Sequence, residues 1–324
     1  MDFIRQLELN YRKVFNYTGG APDLRVVVSM AAQYTFAGAV YSGVRHQEVV
    51  DRIEQGESFL SIFRTFGGQA GMQLKLAAHL LLNGNVEEEI LRLKKNDALL
   101  QECKFARSPY RVVSALFVED TAHAVRALAL HRAMNKHHPI LTTKSDFPYA
   151  ILLTAGNEDD VHIRAKTMHE YYIRLKELDF KMGDTLQSLT QLMTLYSAQY
   201  EEQFALYVAK LKDELEQRDV KVKKLHYPFI GILALTATDT QFIENIIDLH
   251  KGLTSLKMFK GVEELALVVA IQKLVKDYGA VQEVIDVSKY SRWQELLEFS
   301  EFFVCFPSAI SNGIGEIFNV DFNL

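Results

Sequence analysis

Ten histidines and 41 acidic residues in a chain of 324 offer many possible ligands and proton carriers, so their spacing comes first. No His-Glu-x-x-His pair occurs, which removes the usual two-histidine zinc helix. His162 and His169 are seven residues apart, share a predicted helix face and have Glu170 beside the second. His137 and His138 are adjacent and precede Pro139 in what reads as a loop. Two imidazoles seven apart hold a metal only if another helix brings further ligands. The histidines therefore read as solvated or partly packed side chains, and neither a metal nor a cofactor is expected. Cys103 and Cys305 are too few for a disulfide framework or a four-thiolate zinc site and read as small core residues. Nucleophile chemistry is no better served, for there is no Gly-x-Ser-x-Gly. Phe66-Gly-Gly-Gln-Ala-Gly-Met72 lacks the Lys-Ser or Lys-Thr ending of a phosphate loop and reads as a turn. The acidic pairs Asp159-Asp160 and Glu201-Glu202 sit where helices open, and the helix dipole accounts for them.

Two features survive this search. Asp146 and His226 each stand two residues before a proline, Pro148 and Pro228, with Tyr149 and Tyr227 flanking those prolines. If the chain is an enzyme, this is the constellation around which a site assembled from several repeats would form. The second feature is a series of cations just before predicted short helices: Lys104 and Arg107, Lys144, Lys181, Lys223 and Lys224, and Lys260. Cations at such places complement the negative end of a preceding helix. Stacked in a row, Lys144, Lys181, Lys224 and Lys260 would also form an edge able to bind acidic segments or phosphates.

The elements that carry these residues are announced by an echo. Lys144-Ser-Asp-Phe-Pro-Tyr-Ala-Ile-Leu-Leu-Thr-Ala155 returns eighty residues later as Lys224-Leu-His-Tyr-Pro-Phe-Ile-Gly-Ile-Leu-Ala-Leu235. Pro109 to Pro148 is 39 residues, Pro148 to Pro228 is 80, and Pro22 to Pro109 is 87, so four of six prolines fit one position of a repeat of about 40. Proline suits the first turn of a helix, where its missing N–H had no partner to lose. Ser108 is placed to cap the helix of Pro109, and Thr143 or Ser145 with Asp146 that of Pro148. Each unit reads as a short apolar helix, a turn and a longer charged helix. In residues 161–178, Val161, Ala165, Met168, Tyr172 and Leu175 recur at helical spacing, with Arg164, Lys166, Glu170, Arg174 and Lys176 on the other face. Helices are also expected over 2–16, 23–39, 47–64, 72–82, 86–100, 110–118, 121–135, 149–155, 185–195, 200–218, 229–235, 240–256, 262–274 and 280–289. Gly43 is read as an interruption.

The expected fold class is all-α, an α-solenoid of helix pairs akin to tetratricopeptide or HEAT arrays, although neither consensus is present. Residues 1–298 are expected to form the array and 299–324, apolar with Pro307, Gly313 and Gly315, to cap it. An apolar content of 48% is that of a soluble globular protein, and no stretch of 18 or more apolar residues predicts a membrane span. No secretory leader is recognisable, so a cytoplasmic location is expected. A net charge of −5 argues against a general nucleic-acid surface.

Leu141-Thr-Thr-Lys-Ser-Asp-Phe-Pro-Tyr-Ala150, the long charged helix ending Tyr171-Tyr-Ile-Arg-Leu-Lys176, and the 224–235 segment resemble the bacterial domain-of-unknown-function family numbered 4003 over roughly residues 5–300. The resemblance implies an all-helical cytoplasmic bacterial protein and carries no activity. With no catalytic constellation in view, the expected function is that of a non-enzymatic interaction or scaffold protein. Its partner would be a protein or peptide; nucleic acid is disfavoured and the oligomeric state is left open.

Overall fold

The computed structural model describes residues 2–19, 23–55, 70–156, 159–236 and 240–281. Among these there are fourteen α-helices and no strand. They are α1 (Phe3–Thr18), α2 (Leu24–Phe36), α3 (Gly43–Gln55), α4 (Ala70–Leu82), α5 (Val86–Glu102), α6 (Pro109–Ala115) and α7 (Thr121–His137). Then follow α8 (Phe147–Leu153), α9 (Val161–Glu177), α10 (Asp184–Met193), α11 (Glu202–Glu216), α12 (Tyr227–Leu235), α13 (Thr240–Thr254) and α14 (Glu264–Val281). Short 3-10 turns, Lys144–Asp146, Lys224–His226 and Lys257–Phe259, precede α8, α12 and α14. None of the helices is long and apolar enough to cross a membrane. Pro22, residues 66–69 of the expected 66–71 turn, and the 299–324 segment with Cys305 lie outside the described residues, whereas Ala70 and Gly71 open α4.

Local chemistry explains the helix starts. The side chains of Asp23, Asn85, Ser108, Asp120 and Asp160 each accept a hydrogen bond from a first-turn N–H of α2, α5, α6, α7 and α9. Pro109, Pro148 and Pro228 all stand in first turns, as the spacing predicts. Three long helices end alike. Lys104, Asp179 and Asp219 adopt positive φ just beyond α5, α9 and α11. The next residue's N–H then reaches back to a carbonyl five residues earlier: Phe105 to Leu100 at 2.9 Å, Phe180 to Leu175 at 3.0 Å, Val220 to Leu215 at 3.1 Å. Both members of each pair are buried, so the turn is closed by a hydrogen bond and an apolar contact together.

The short helices are the inside of the molecule. Every residue of α8 is buried, as is every residue of α12 from Tyr227 to Ala234. Helix α2 touches α4, and α6, α8, α10, α12 and α14 touch in succession, with α4 and α6 joined through α5. The long helices lie against this series and also serve it. Arg92 donates to Leu116 O at 3.3 Å, His123 Nε2 to Ile151 O at 2.7 Å, and Arg164 to Thr194 O at 2.9 Å. Each thus reaches a carbonyl near the end of the next short helix: those of Leu116 and Thr194 lie just beyond the last turn, and that of Ile151 also accepts from Thr154 N–H at 3.2 Å. Helix α6 is further pinned to α5 by a buried bidentate pair, Arg111 to Asp97 at 2.8 and 2.9 Å.

Two expectations on element bounds change. Gly43 opens α3 instead of interrupting the chain; a Cβ there would meet Tyr17 Cδ2 at 3.0 Å, so the glycine lets the two segments approach. The break expected between 274 and 280 is absent, because α14 continues to Val281 and a single Gly279 is tolerated. The all-α class holds. The series of contacts also returns on itself, since α14 touches α2, which successive stacking alone does not require. Arg25 and Glu264 pair across that contact at 3.4 Å, Lys276 Nζ donates to Phe36 O, and Lys273 Nζ lies 5.3 Å from the centroid of the Phe3 ring.

Candidate functional site

The turn before α8 is built around Asp146. Its Oδ2 accepts from Thr143 N–H at 2.8 Å, while Thr143 Oγ1 accepts from Ser145 N–H at 3.2 Å, so Thr143 and Asp146 cap the turn reciprocally. His131 Nε2 donates to Thr143 O at 2.8 Å and holds the turn to α7. The second carboxylate oxygen faces α10: Oδ1 accepts from Gln187 Nε2 at 2.9 Å and from Gln191 Nε2 at 2.7 Å. Gln187 Nε2 also reaches Thr142 Oγ1 at 3.2 Å. Burial raises the Asp146 pKa above the ordinary carboxylate value, against the pull of the hydrogen bonds from Thr143, Gln191 and Gln187. The side-chain oxygens of Gln187 and Gln191 are buried with no hydrogen-bond partner.

His226 does the same work with different chemistry. Its Nδ1 accepts from Lys223 N–H at 2.9 Å, which assigns the ring proton to Nε2. Nε2 donates to Glu264 O at 2.9 Å, at the first residue of α14. Burial lowers the His226 pKa to about 4, so the ring is neutral at pH 7. Asp146 and His226 thus share a place two residues before a proline and a role: each caps its own turn and grips a later helix. Asp146 is committed to α10 and His226 to α14.

The flanking tyrosines are internal. Tyr149 is buried in α8. Tyr227 OH accepts from Lys181 N–H at 3.1 Å, and its ring meets Phe180 at 4.8 Å between centroids. Phe147 meets Phe105 in the same way at 4.9 Å.

Lys144, Lys181, Lys224 and Lys260 are all exposed and stand in or beside the turns before α8, α10, α12 and α14, the last of which is not a short helix but runs for 18 residues. Their partners differ from those expected. Lys144 Nζ lies 3.5 Å from Arg107 O and Lys224 Nζ 2.9 Å from Met182 O. Both carbonyls belong to the turn that opens the preceding short helix, not to the end of a long one. Lys181 and Lys224 therefore border one turn, and Lys144 borders the turn of Arg107. Arg107, Lys144, Phe105 and Phe147 correspond to Met182, Lys224, Phe180 and Tyr227, so the stapled contact itself repeats.

Sequence reading missed Gln187 and Gln191, although two glutamines four apart, sharing a helix with Leu186, Leu189, Leu192 and Met193, were a visible signal of a buried polar pair. It also placed His137 and His138 in a loop. His137 ends α7 and His138 caps it, with His138 N–H donating to Met134 O at 3.0 Å. His169 meets His138 across helices, without His162. Among the described residues no set of three His, Cys, Asp or Glu groups is arranged to hold a metal.

A family model described as "Protein of unknown function (DUF4003)" matches residues 10–298, and the chain belongs to that family. The chain is also similar to the uncharacterized protein YeaA of Bacillus subtilis (strain 168), with 22% identity over 172 residues. That similarity covers 53% of this chain and 51% of YeaA, so it spans about half of each. No solved structure matches.

Proposed function

We propose that this member of the DUF4003 family is a non-enzymatic interaction or scaffold protein built from solenoid-like units of about 40 residues, and that it holds an acidic protein or peptide segment. The binding edge is the one that carries Lys144, Lys181, Lys224 and Lys260. One observation supports this reading above the others: the four ammonium-bearing side chains are exposed at related turns, whereas Asp146 and His226 spend their polar atoms on caps and neighbouring helices. The carbonyl contacts of Lys144 and Lys224 hold those two heads at the edge without neutralising them. Charges of this kind steer association and select partners more than they add affinity.

The test is affinity capture from the source cell, comparing the natural chain with a quadruple variant in which all four lysines become glutamine. The variant should fold, lose at most a few tenths of a kcal/mol per site, and release the main partner at lower salt. A folded variant that keeps every partner at every salt concentration refutes the reading. A partner that proves to be nucleic acid, with affinity falling steeply as salt rises, replaces it with the polyanion alternative. Turnover of a small molecule by the natural chain, abolished in Asp146→Asn or His226→Asn, would instead restore the enzymatic one.

A further inference from the structure

We infer that His138 Nε2 and His169 Nδ1 form a two-imidazole site for a divalent transition-metal ion, with water completing the coordination. The two nitrogens lie 3.1 Å apart, one at the cap of α7 and the other on α9. Two nitrogens on a tetrahedral zinc at about 2.0–2.1 Å are separated by roughly 3.3 Å, so the pair needs only a small spreading to chelate. Imidazole nitrogen is a ligand preferred by zinc, copper and nickel. In the metal-free protein one neutral ring donates its N–H to the other across this gap, and metal binding requires that proton to move to the far nitrogen of the same ring.

The pair is also held in place. His138 is fixed at its backbone, where N–H donates to Met134 O at 3.0 Å and C=O accepts from Thr142 N–H at 2.8 Å. Its ring sits 4.7 Å from that of Tyr172, whose hydroxyl accepts from Gly183 N–H at 3.1 Å. The ring of His137 stacks on His169 with centroids 5.2 Å apart. Both ligand residues are half-buried, which leaves one side open to solvent and an entering ion.

The test uses the full chain without a polyhistidine tag, titrated with Zn2+ by calorimetry at neutral pH. The natural chain should bind one equivalent. His138→Gln and His169→Gln, each checked for folding by circular dichroism, should bind at least tenfold more weakly. His162→Gln, on the exposed part of α9, should match the natural chain. Should either glutamine variant misfold, the imidazole resonances of the natural chain serve instead, and Zn2+ should shift those of His138 and His169 first. Absence of saturable binding overturns the inference. So does affinity within twofold of the natural value in both folded glutamine variants, or first shifts at another pair of rings.

Discussion

Asp146 is where a single atom swap is most informative. Its carboxylate accepts from Thr143 N–H and from two glutamine amides, while the oxygens of those same amides stay buried and unpartnered. In Asp146→Asn the remaining oxygen keeps the Thr143 bond. The new amide can donate to both glutamine oxygens once Gln187 and Gln191 rotate. Asp146→Asn should therefore leave thermal stability within about 1 kcal/mol of the natural chain or raise it, because it also removes a buried ionisable group. Asp146→Ala abandons three donors and should cost about 2–4 kcal/mol. Equal losses in the two variants, measured by denaturant unfolding, would show that the carboxylate charge is essential. His226 adds a pH signature. Burial lowers its folded pKa to about 4 from an ordinary value near 6.5. In that window the unfolded chain takes up a proton that the folded chain refuses. Its contribution is intact above about pH 6.5 and is lost as pH falls toward 4, by about 3 kcal/mol at most. His226→Asn keeps an acceptor for Lys223 N–H, forfeits the bond to Glu264 O, and should be less stable at pH 7 but flatter between pH 6.5 and 4. A variant with the natural slope would assign the acid sensitivity elsewhere.

Elements show which signals a sequence carries. The prolines, the Ser108 cap and the Thr143–Asp146 cap are local chemistry, and they were legible because each acts within four residues. Asp146 and His226 were legible as equivalent positions, but their role was not, because Gln187, Gln191 and Glu264 lie about forty residues further on. The lysine contacts to Arg107 O and Met182 O were hidden for the same reason, since a backbone carbonyl leaves no residue-type signal. Helix ends were hidden differently: Asp179 and Asp219 occupy left-handed positions that usually announce themselves as glycine. Asp179→Gly and Asp219→Gly should each stabilise the chain, by several tenths to about 1 kcal/mol, because glycine relieves the strained φ. A loss of stability in both would mean that their side chains do work not evident in the turn. The proline phase has its own test. Pro148→Ala removes buried ring atoms but no helix-interior defect and should cost about 1 kcal/mol, whereas Leu152→Pro, within α8, should cost about 3 kcal/mol or more. Comparable thermal unfolding of the two variants would contradict the assignment.

At the scale of the molecule the contact between α2 and α14 matters for binding, because a strip of helices offers a groove and a closed ring offers two rims. Glu264 is the residue on which this turns. Its nearly buried carboxylate meets Arg25 of α2 at 3.4 Å and Lys223 before α12 at 3.0 Å, while its backbone oxygen accepts from His226. The second helix and α14, the last among the described residues, are thus joined through one acid, assisted by Lys276 on Phe36 O and Lys273 over Phe3. The closure carries ionic and cation–π contacts and should be more salt-sensitive than the apolar seam between α10 and α12, where Gly231 permits such proximity that a Cβ would stand 2.8 Å from Leu189 Cδ1. Arg25→Glu would set two acids against each other and should cost about 1–3 kcal/mol, most of it from repulsion in a poorly solvated place where Lys223 alone still pairs with Glu264. Spin labels at positions 5 and 277, both exposed, introduced after Cys103 and Cys305 are replaced by serine, report the outcome directly. In the otherwise natural chain they should give one narrow, short distance distribution. In Arg25→Glu the distribution should broaden and lengthen, while helix content is unchanged. High salt should mimic the variant only partly, since the Debye length of about 3 Å at 1 M screens exposed charges better than a buried carboxylate. A long, broad distribution in the unaltered background would mean that the helical units remain open in solution, and the lysine-bearing turns would then lie along an edge instead of around a rim.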